Sequence, residues 1–320
     1  MTSAEMLQLR FHFGERDRDG HGPLEAAVMD ACARRGVRAA ALLRGVEGFG
    51  AKQRLRTDRL LSLSEDTPLV AVAVGDAAVI EGLAEEVRGM AGEGLGVLET
   101  VVVGRGDGGG SDLVKATVWG PRTGPTAPHL EAVAAMRRHG AESATVMLGV
   151  DGVLEGERRR ARFVAGNRGV PAMTVGVGPR AAIEAAVAEV DGAAHLVTVE
   201  PVVPYSAIDR VRHHSEAVRV TLVTSEIASR GRHPAYLELI HRLRREGAAG
   251  ATALRGVWGY RGDHEPHGDR LLALRRDVPL VVEVVDAPER AARWADLARE
   301  IGCEGDVVQV QEIPRAIALK

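Results

Sequence analysis

The residues best equipped for chemistry lie in a short glycine-bracketed pattern that occurs twice. Arg44-Gly45-Val46-Glu47-Gly48-Phe49-Gly50 is matched late in the chain by Arg255-Gly256-Val257-Trp258-Gly259-Tyr260. Arginine presents a planar fork of donors suited to a carboxylate or phosphate. Glycine lets the backbone take positive φ or approach a ligand closely. The combination reads as a turn that ends a strand and cradles a small anion. Its candidate ligand-binding residues are Arg44, Gly45, Glu47, Gly48, Phe49, Gly50, Arg255, Gly256, Gly259 and Tyr260. Both copies continue as D-R-L-L-x-L-x-x-D-x-P-L-V, which adds Arg59 and Arg270. Adjacent Asp58 and Asp269 read as locally paired surface groups. Asp66 and Asp277 read as turn or capping residues. The competing reading of the whole pattern is a tight structural turn.

Other constellations point away from chemistry. Asp263-His264-Glu265-Pro266-His267 holds metal-capable side chains, but its Pro and Gly neighbours mark a solvated loop. Gly104 to Gly109 fits GxGxxG, yet it leads into a strand and not a helix, so it is a linker. Gly176-Val-Gly178-Pro-Arg-Ala181 reads as an ordinary helix start. No Walker loop, nucleophile elbow or HExxH is present. No catalytic or metal-binding residue is therefore assigned.

The elements that position the pattern recur three times. Gly36, Gly140 and Gly247 each end a helical run. Gly45, Gly149 and Gly256 follow nine residues later, then Gly48, Gly152 and Gly259, then Pro68, Pro171 and Pro279. Copies one and three align without a gap from residue 23 to 70 at an offset of 211. Copy two is degenerate: Leu148 replaces Arg44/Arg255, Val153 replaces the aromatic, and Arg162 stands opposite Asp58/Asp269. The glycines persist there, which favours a structural role for them. The arginine and the aromatic do not, which favours a functional one. Period-2 and period-3.6 patterning gives copy one as strands 7–13, 37–43, 69–74 and 95–103, with helices 23–35 and 77–88. The order is β-α-β-loop-β-α-β, the split βαβ or ferredoxin-like arrangement. Its unusual part is a long loop between the second and third strands, 47–66 in copy one and 258–277 in copy three. The fold class is α+β, with domains at 1–104, 112–204 and 217–320.

Composition limits the function classes. Forty-one basic and 44 acidic residues give a net charge of −3. That balance excludes the basic excess of a dedicated nucleic-acid binder. The two cysteines, Cys32 and Cys303, are too few for a disulfide framework and read as small core residues. No apolar run reaches the length of a membrane span, so the chain is expected to be cytoplasmic.

The R-G-V-E-G-F-G and L-S-E-D-T-P-L-V segments, behind a strand and the P-L-E-A-A-V helix, resemble the bacterial DUF190 family. That family is similar to the PII signalling proteins, which are trimers binding small ligands, often adenine nucleotides, in clefts between subunits. The resemblance implies three tandem PII-like modules that close as an intrachain pseudo-trimer, monomeric or dimerising further. It also implies a small anionic effector such as an adenine nucleotide, with no other cofactor. The expected partners are that effector and a protein target, for example a membrane channel, reached through the long loops. The alternatives are an enzyme acting in an inter-module cleft and a ligand-free scaffold.

Overall fold

The structure, a computed structural model, describes residues 4–58, 66–104, 111–122, 128–161, 167–190, 192, 194–211, 215–229, 233–268 and 278–319. The elements form three successive runs. The first holds β1 (Ala4–Gly14), α1 (Leu24–Arg35), β2 (Ala39–Phe49), β3 (Leu55–Thr57), β4 (Pro68–Gly75), α2 (Ala77–Met90) and β5 (Gly94–Val103). The second holds β6 (Leu113–Pro121), α3 (Pro128–Arg138), β7 (Ser143–Leu148), β8 (Asp151–Leu154), β9 (Glu157–Arg160), β10 (Pro171–Pro179), α4 (Arg180–Val190), β11 (Leu196–Pro201) and β12 (Val203–Pro204). A 3-10 segment at Tyr205–Arg210 leads to the third run. That run holds β13 (Ala217–Ser225), α5 (Ala235–Arg245), β14 (Gly250–Arg255), β15 (Trp258–Arg261), β16 (His267–Gly268), β17 (Pro279–Asp286), α6 (Ala291–Ile301), β18 (Val307–Ile313) and β19 (Arg315–Leu319).

Each run has the same strand order. β1 lies between β4 and β5, with β2 outside β4. The second run repeats this as β7-β10-β6-β11, and the third as β14-β17-β13-β18. The chain is thus a mixed α+β protein with a large antiparallel sheet, compatible with ferredoxin-like PII units.

Strand alternation explains the layers. Leu9, Phe11 and Phe13 point to α1 and α2 and form one core. Their neighbours Gln8, Arg10 and His12 point to the opposite face. β4 is buried along its whole length, which is why Pro-Leu-Val-Ala-Val-Ala-Val has no polar alternation. A strand covered on both faces reads as a continuous apolar run. Its second face packs on a shared core that joins all three runs, including Val70, Val72, Trp119, Met147, Val223 and Val281. At the end of α1, Gly36 takes φ 66°, the left-handed cap that glycine tolerates best.

Two sets of ladders cross between runs. β2 outlasts its partner β4: Ala39–Arg44 pair with β4, then Gly45–Phe49 pair with β14 of the third run. Likewise β8 pairs with Ala39–Leu42 of β2, and β15 pairs with Ser143–Val146 of β7. The last strands cross in the other sense. The end of β5 meets β11, β12 meets β18, and β19 meets the start of β5. This corrects one expectation. The Arg-Gly-Val-x-Gly-aromatic segment is not a turn in the first run but the continuation of a strand onto a neighbour.

Candidate functional site at the seams between runs

The glycines of the pattern are required by these crossings. A Cβ at Gly48 would lie 2.8 Å from the Ala251 carbonyl oxygen, and one at Gly45 3.0 Å from that of Ala253. At Gly152 it would lie 2.3 Å from the Ala40 oxygen, and at Gly259, where φ is 151°, 2.0 Å from the Ala144 oxygen. In each case the backbone of the next run occupies the place of the missing side chain.

The aromatics are anchors in a neighbour's core. Phe49, from the first run, is 4% exposed and belongs to the core around Leu239, Ile240 and Trp294 of the third. Tyr260, from the third run, lies in the core of the second. Its hydroxyl donates to the Ala141 carbonyl at 3.0 Å, and the Arg137 guanidinium sits 5.0 Å from its ring centroid. Burial raises the Tyr260 pKa, so it stays a neutral phenol. Val153 takes the equivalent place in the core of the first run.

The two arginines do not share a cleft. Arg44 is exposed, pairs with Glu15, and follows the part of β2 bordered by β8 of the second run. Arg255 sits at the seam of the first and third runs. Its guanidinium is 2.6 Å from Glu226 and 3.5 Å from Asp58 of the first run. Arg255 Nε and Glu226 Oε2 are buried with no hydrogen-bond partner among the described residues. The alignment places Glu15 and Glu226 at one position, where the second run has Arg122 opposite Leu148. The arginine and its carboxylate are lost together there, as expected of a structural pair.

The same seam holds Glu47. It is 3% exposed, lies 3.6 Å from His241 of α5, and its Oε2 has no hydrogen-bond partner among the described residues. Gln53 Nε2 donates to the Ala248 carbonyl at 2.8 Å, and its Oε1 is buried and unpartnered on the same terms. Gly50 has open space around it. Arg59, Arg162, Asp269 and Arg270 lie outside the described residues. Among the described residues no cluster of three or more His, Cys, Asp or Glu could hold a metal. None of their helices is long and apolar enough to cross a membrane.

Sequence reasoning missed a buried polar cluster where the three runs meet. Gln8, Lys115 and Arg219 occupy equivalent places on β1, β6 and β13, opposite Glu99, Glu200 and Gln311. Arg219 binds Glu99 at 2.7 Å and Gln311 at 2.7 Å. Lys115 binds Glu200 at 3.0 Å and Gln311 at 3.0 Å. Arg10 makes a bidentate pair with Glu283, at 2.6 and 3.0 Å. Three cations and three carboxylates therefore balance. Burial alone would raise the Glu99 pKa. Arg219 and Lys115 outweigh it and hold it at about 2. His12 is pushed down to about 4, first by burial and further by Arg10 and Arg219 against the opposing pull of Glu283. Beside the cluster is a cavity of about 30 Å³, lined by Arg10, Lys115, Thr117, Thr221, Glu283 and Gln309 among others. That is room for about two waters. The signal was present in the sequence: a polar residue recurs at the same strand position in every copy.

A mixed α+β class built from ferredoxin-like units is what this strand order and repeat define. The profile of the DUF190 family, described as "Uncharacterized ACR", matches residues 6–103 and 217–313, and the chain belongs to that family. A UPF0166 protein of Aquifex aeolicus is 35% identical over 75 residues, which is 23% of this chain and 71% of that protein. Among solved structures, an aspartate kinase from Synechocystis aligns over 97% of this chain and 44% of its own, at 10% identity and a TM-score of 0.23. That likeness is too slight to argue from.

Proposed function

We propose that the chain is a PII-like regulatory protein whose three units, 1–104, 112–204 and 217–320, close as an intrachain pseudo-trimer. Its effector is a small anion of the adenine-nucleotide class. The effector binds at the seam of the first and third units, and the segments 47–66 and 258–277 relay it to a partner protein. The observation that carries this reading is the Arg255 environment. A guanidinium with a buried, unpartnered Nε sits between Asp58 of one unit and Glu226 of another. An anion that drew Arg255 away would loosen its hold on Asp58, which lies within the 47–66 segment expected to carry the signal. Loops held on a rigid scaffold are the usual carriers of such changes.

The test is a thermal-shift and calorimetry screen of the full chain against adenine nucleotides and simple carboxylates. A ligand that binds only the folded state raises Tm by mass action. The expected result is a rise with one nucleotide class that Arg255→Ala abolishes while the protein stays folded. A flat response to every anion, or a rise unchanged in Arg255→Ala, refutes the reading. A ligand-free scaffold is the second reading. It is favoured by the joint loss of the arginine and its carboxylate in the second unit, and a flat screen would select it.

A further inference from the structure

Seven carboxylates are buried among the described residues. Asp66, Glu99, Asp151, Glu200, Glu283 and Asp286 each have an arginine or lysine nitrogen within 3.2 Å. This holds even where the pairing is peculiar to one seam. Glu283 of the third unit has Val72 and Val175 as its equivalents, and it meets Arg10 of the first, whose equivalents are Thr117 and Thr221. Glu47 is the exception. Among the described residues it meets no arginine or lysine, only the imidazole of His241 in the third unit, with Oε1 3.6 Å from Nε2. Its Oε2 is buried and unpartnered on the same terms.

The equivalent places at the other two seams are settled by different chemistry. The alignment that matches Gly45 with Gly149 and Gly256 also matches Glu47 with Asp151 and Trp258, and His241 with Asp30 and Ala134. Asp151 and Asp30 are both held by Arg158, which lies 2.5 Å from Asp151. Trp258 and Ala134 carry no charge. Among the three seams, that of the first and third units sets a buried carboxylate against an imidazole.

We infer that Glu47 and His241 are the protein donors of a divalent-metal site, of the zinc class, at this seam. A buried charge is either paired or coordinates a metal. A gap of 3.6 Å is too long for a hydrogen bond, so the imidazole does not itself satisfy the carboxylate. The gap is close to the separation of two donors on one ion. With bonds of about 2.1 Å from zinc to oxygen and nitrogen, neighbouring corners of a tetrahedron lie about 3.4 Å apart. An imidazole beside a carboxylate suits zinc and its neighbours, whereas magnesium and calcium take oxygen donors. The His241 side chain is 54% exposed, so water reaches the remaining positions. Two protein donors and water make an open site, in which the metal supplies Glu47 with the positive charge that Arg158 supplies to Asp151.

The inference does not depend on the effector reading, and its test uses no nucleotide, so the two can fail separately. The untagged full-length chain is stripped with a chelator, titrated with zinc chloride by calorimetry, and melted with and without zinc. Glu47→Gln and His241→Ala each remove one donor. His139→Ala is the control, because His139 and Glu189 form a second His–carboxylate pair, 3.2 Å apart but exposed on both sides. The wild type is expected to bind one zinc per chain and to gain Tm with zinc by mass action. Both effects are expected to be lost in Glu47→Gln and in His241→Ala and kept in His139→Ala. Should Glu47→Gln not fold, His241→Ala decides, since that side chain is half exposed. The inference is overturned if zinc does not bind, which leaves an ordinary imidazolium–carboxylate pair. It is equally overturned if binding survives in folded Glu47→Gln or His241→Ala, or if His139→Ala loses it to the same extent, since either marks adventitious surface binding.

Discussion

Replacing Phe49 by alanine separates the two roles open to that residue. As part of an exposed cradle, its loss would weaken ligand binding and leave stability nearly untouched. As an anchor, its loss opens a hole in a neighbouring unit's core. Phe49 is 4% exposed and packs in the core that also holds Trp294, at 0%. Truncating such a phenylalanine costs about 3–5 kcal/mol. At a urea slope of about 3 kcal/mol per molar, a loss near the middle of that range moves the midpoint by more than ~1 M. Phe49→Leu refills most of the volume and is expected to lose less than half as much. The assay is urea denaturation followed by far-UV circular dichroism and tryptophan fluorescence. Hydrogen exchange adds a local readout, with faster exchange expected in β14 and in the 45–49 stretch of β2. The reasoning is refuted if Phe49→Ala falls within about 0.5 kcal/mol of wild type, the range of an ordinary surface change.

Gly152→Ala would place a methyl 2.3 Å from the Ala40 oxygen and 2.7 Å from Pro171 Cγ, whereas Gly50→Ala meets nothing within 4 Å. The first should lose about 1–3 kcal/mol or more and the second almost nothing, as read by calorimetric Tm. His12 ordinarily titrates near 6.5 but is held near 4 in the fold. The unfolded chain thus takes up the proton first, and stability falls as pH drops from 6.5 to 4, by about 3 kcal/mol in all. His12→Gln should flatten the pH dependence of the denaturation midpoint across that window. Glu99 is held near 2 against an ordinary 4.5. Its contribution is full above 4.5 and is lost as pH falls toward 2, so Glu99→Gln should lose stability at pH 7 and converge on wild type in strong acid.

The repeat, the element order and the helix ends were legible because they depend on local signals. Gly36 ends α1, Pro68 opens β4, and Leu9, Phe11 and Phe13 alternate as a strand must. The seams were not legible because their partners are distant in sequence. A glycine beside an arginine looks the same whether it admits a ligand or the Ala251 carbonyl of another unit. β8, β15 and β19 were read as loop or missed for the same reason: short strands take their register from a neighbour's edge. The polar face of β1 misled in a different way. Gln8, Arg10 and His12 look solvent-facing by period, yet Gln8 donates to Glu99 of its own unit, and Arg10 and His12 meet Glu283 and Thr252 of the third.

That polar face shows what fusion does to a repeated fold. In an assembly of identical subunits, a residue near the axis appears three times, and each copy must be satisfied by the same neighbour. Three copies of the first unit would set each Arg10 against Val72, and three copies of the third would set each Glu283 against Thr221. Over the whole cluster each unit is neutral, with Arg10 and Glu99 in the first, Lys115 and Glu200 in the second and Arg219 and Glu283 in the third, so net charge does not distinguish the arrangements; contact geometry does. In one chain the positions need only be matched across each seam, so Arg10 could arise with Glu283 at one seam while Thr117 stays beside Val72 at another. The same freedom let the second unit exchange its arginine and carboxylate for Leu148 and Arg122. The seams of this chain are chemically different sites, and whatever binds at one of them has no reason to bind at all three.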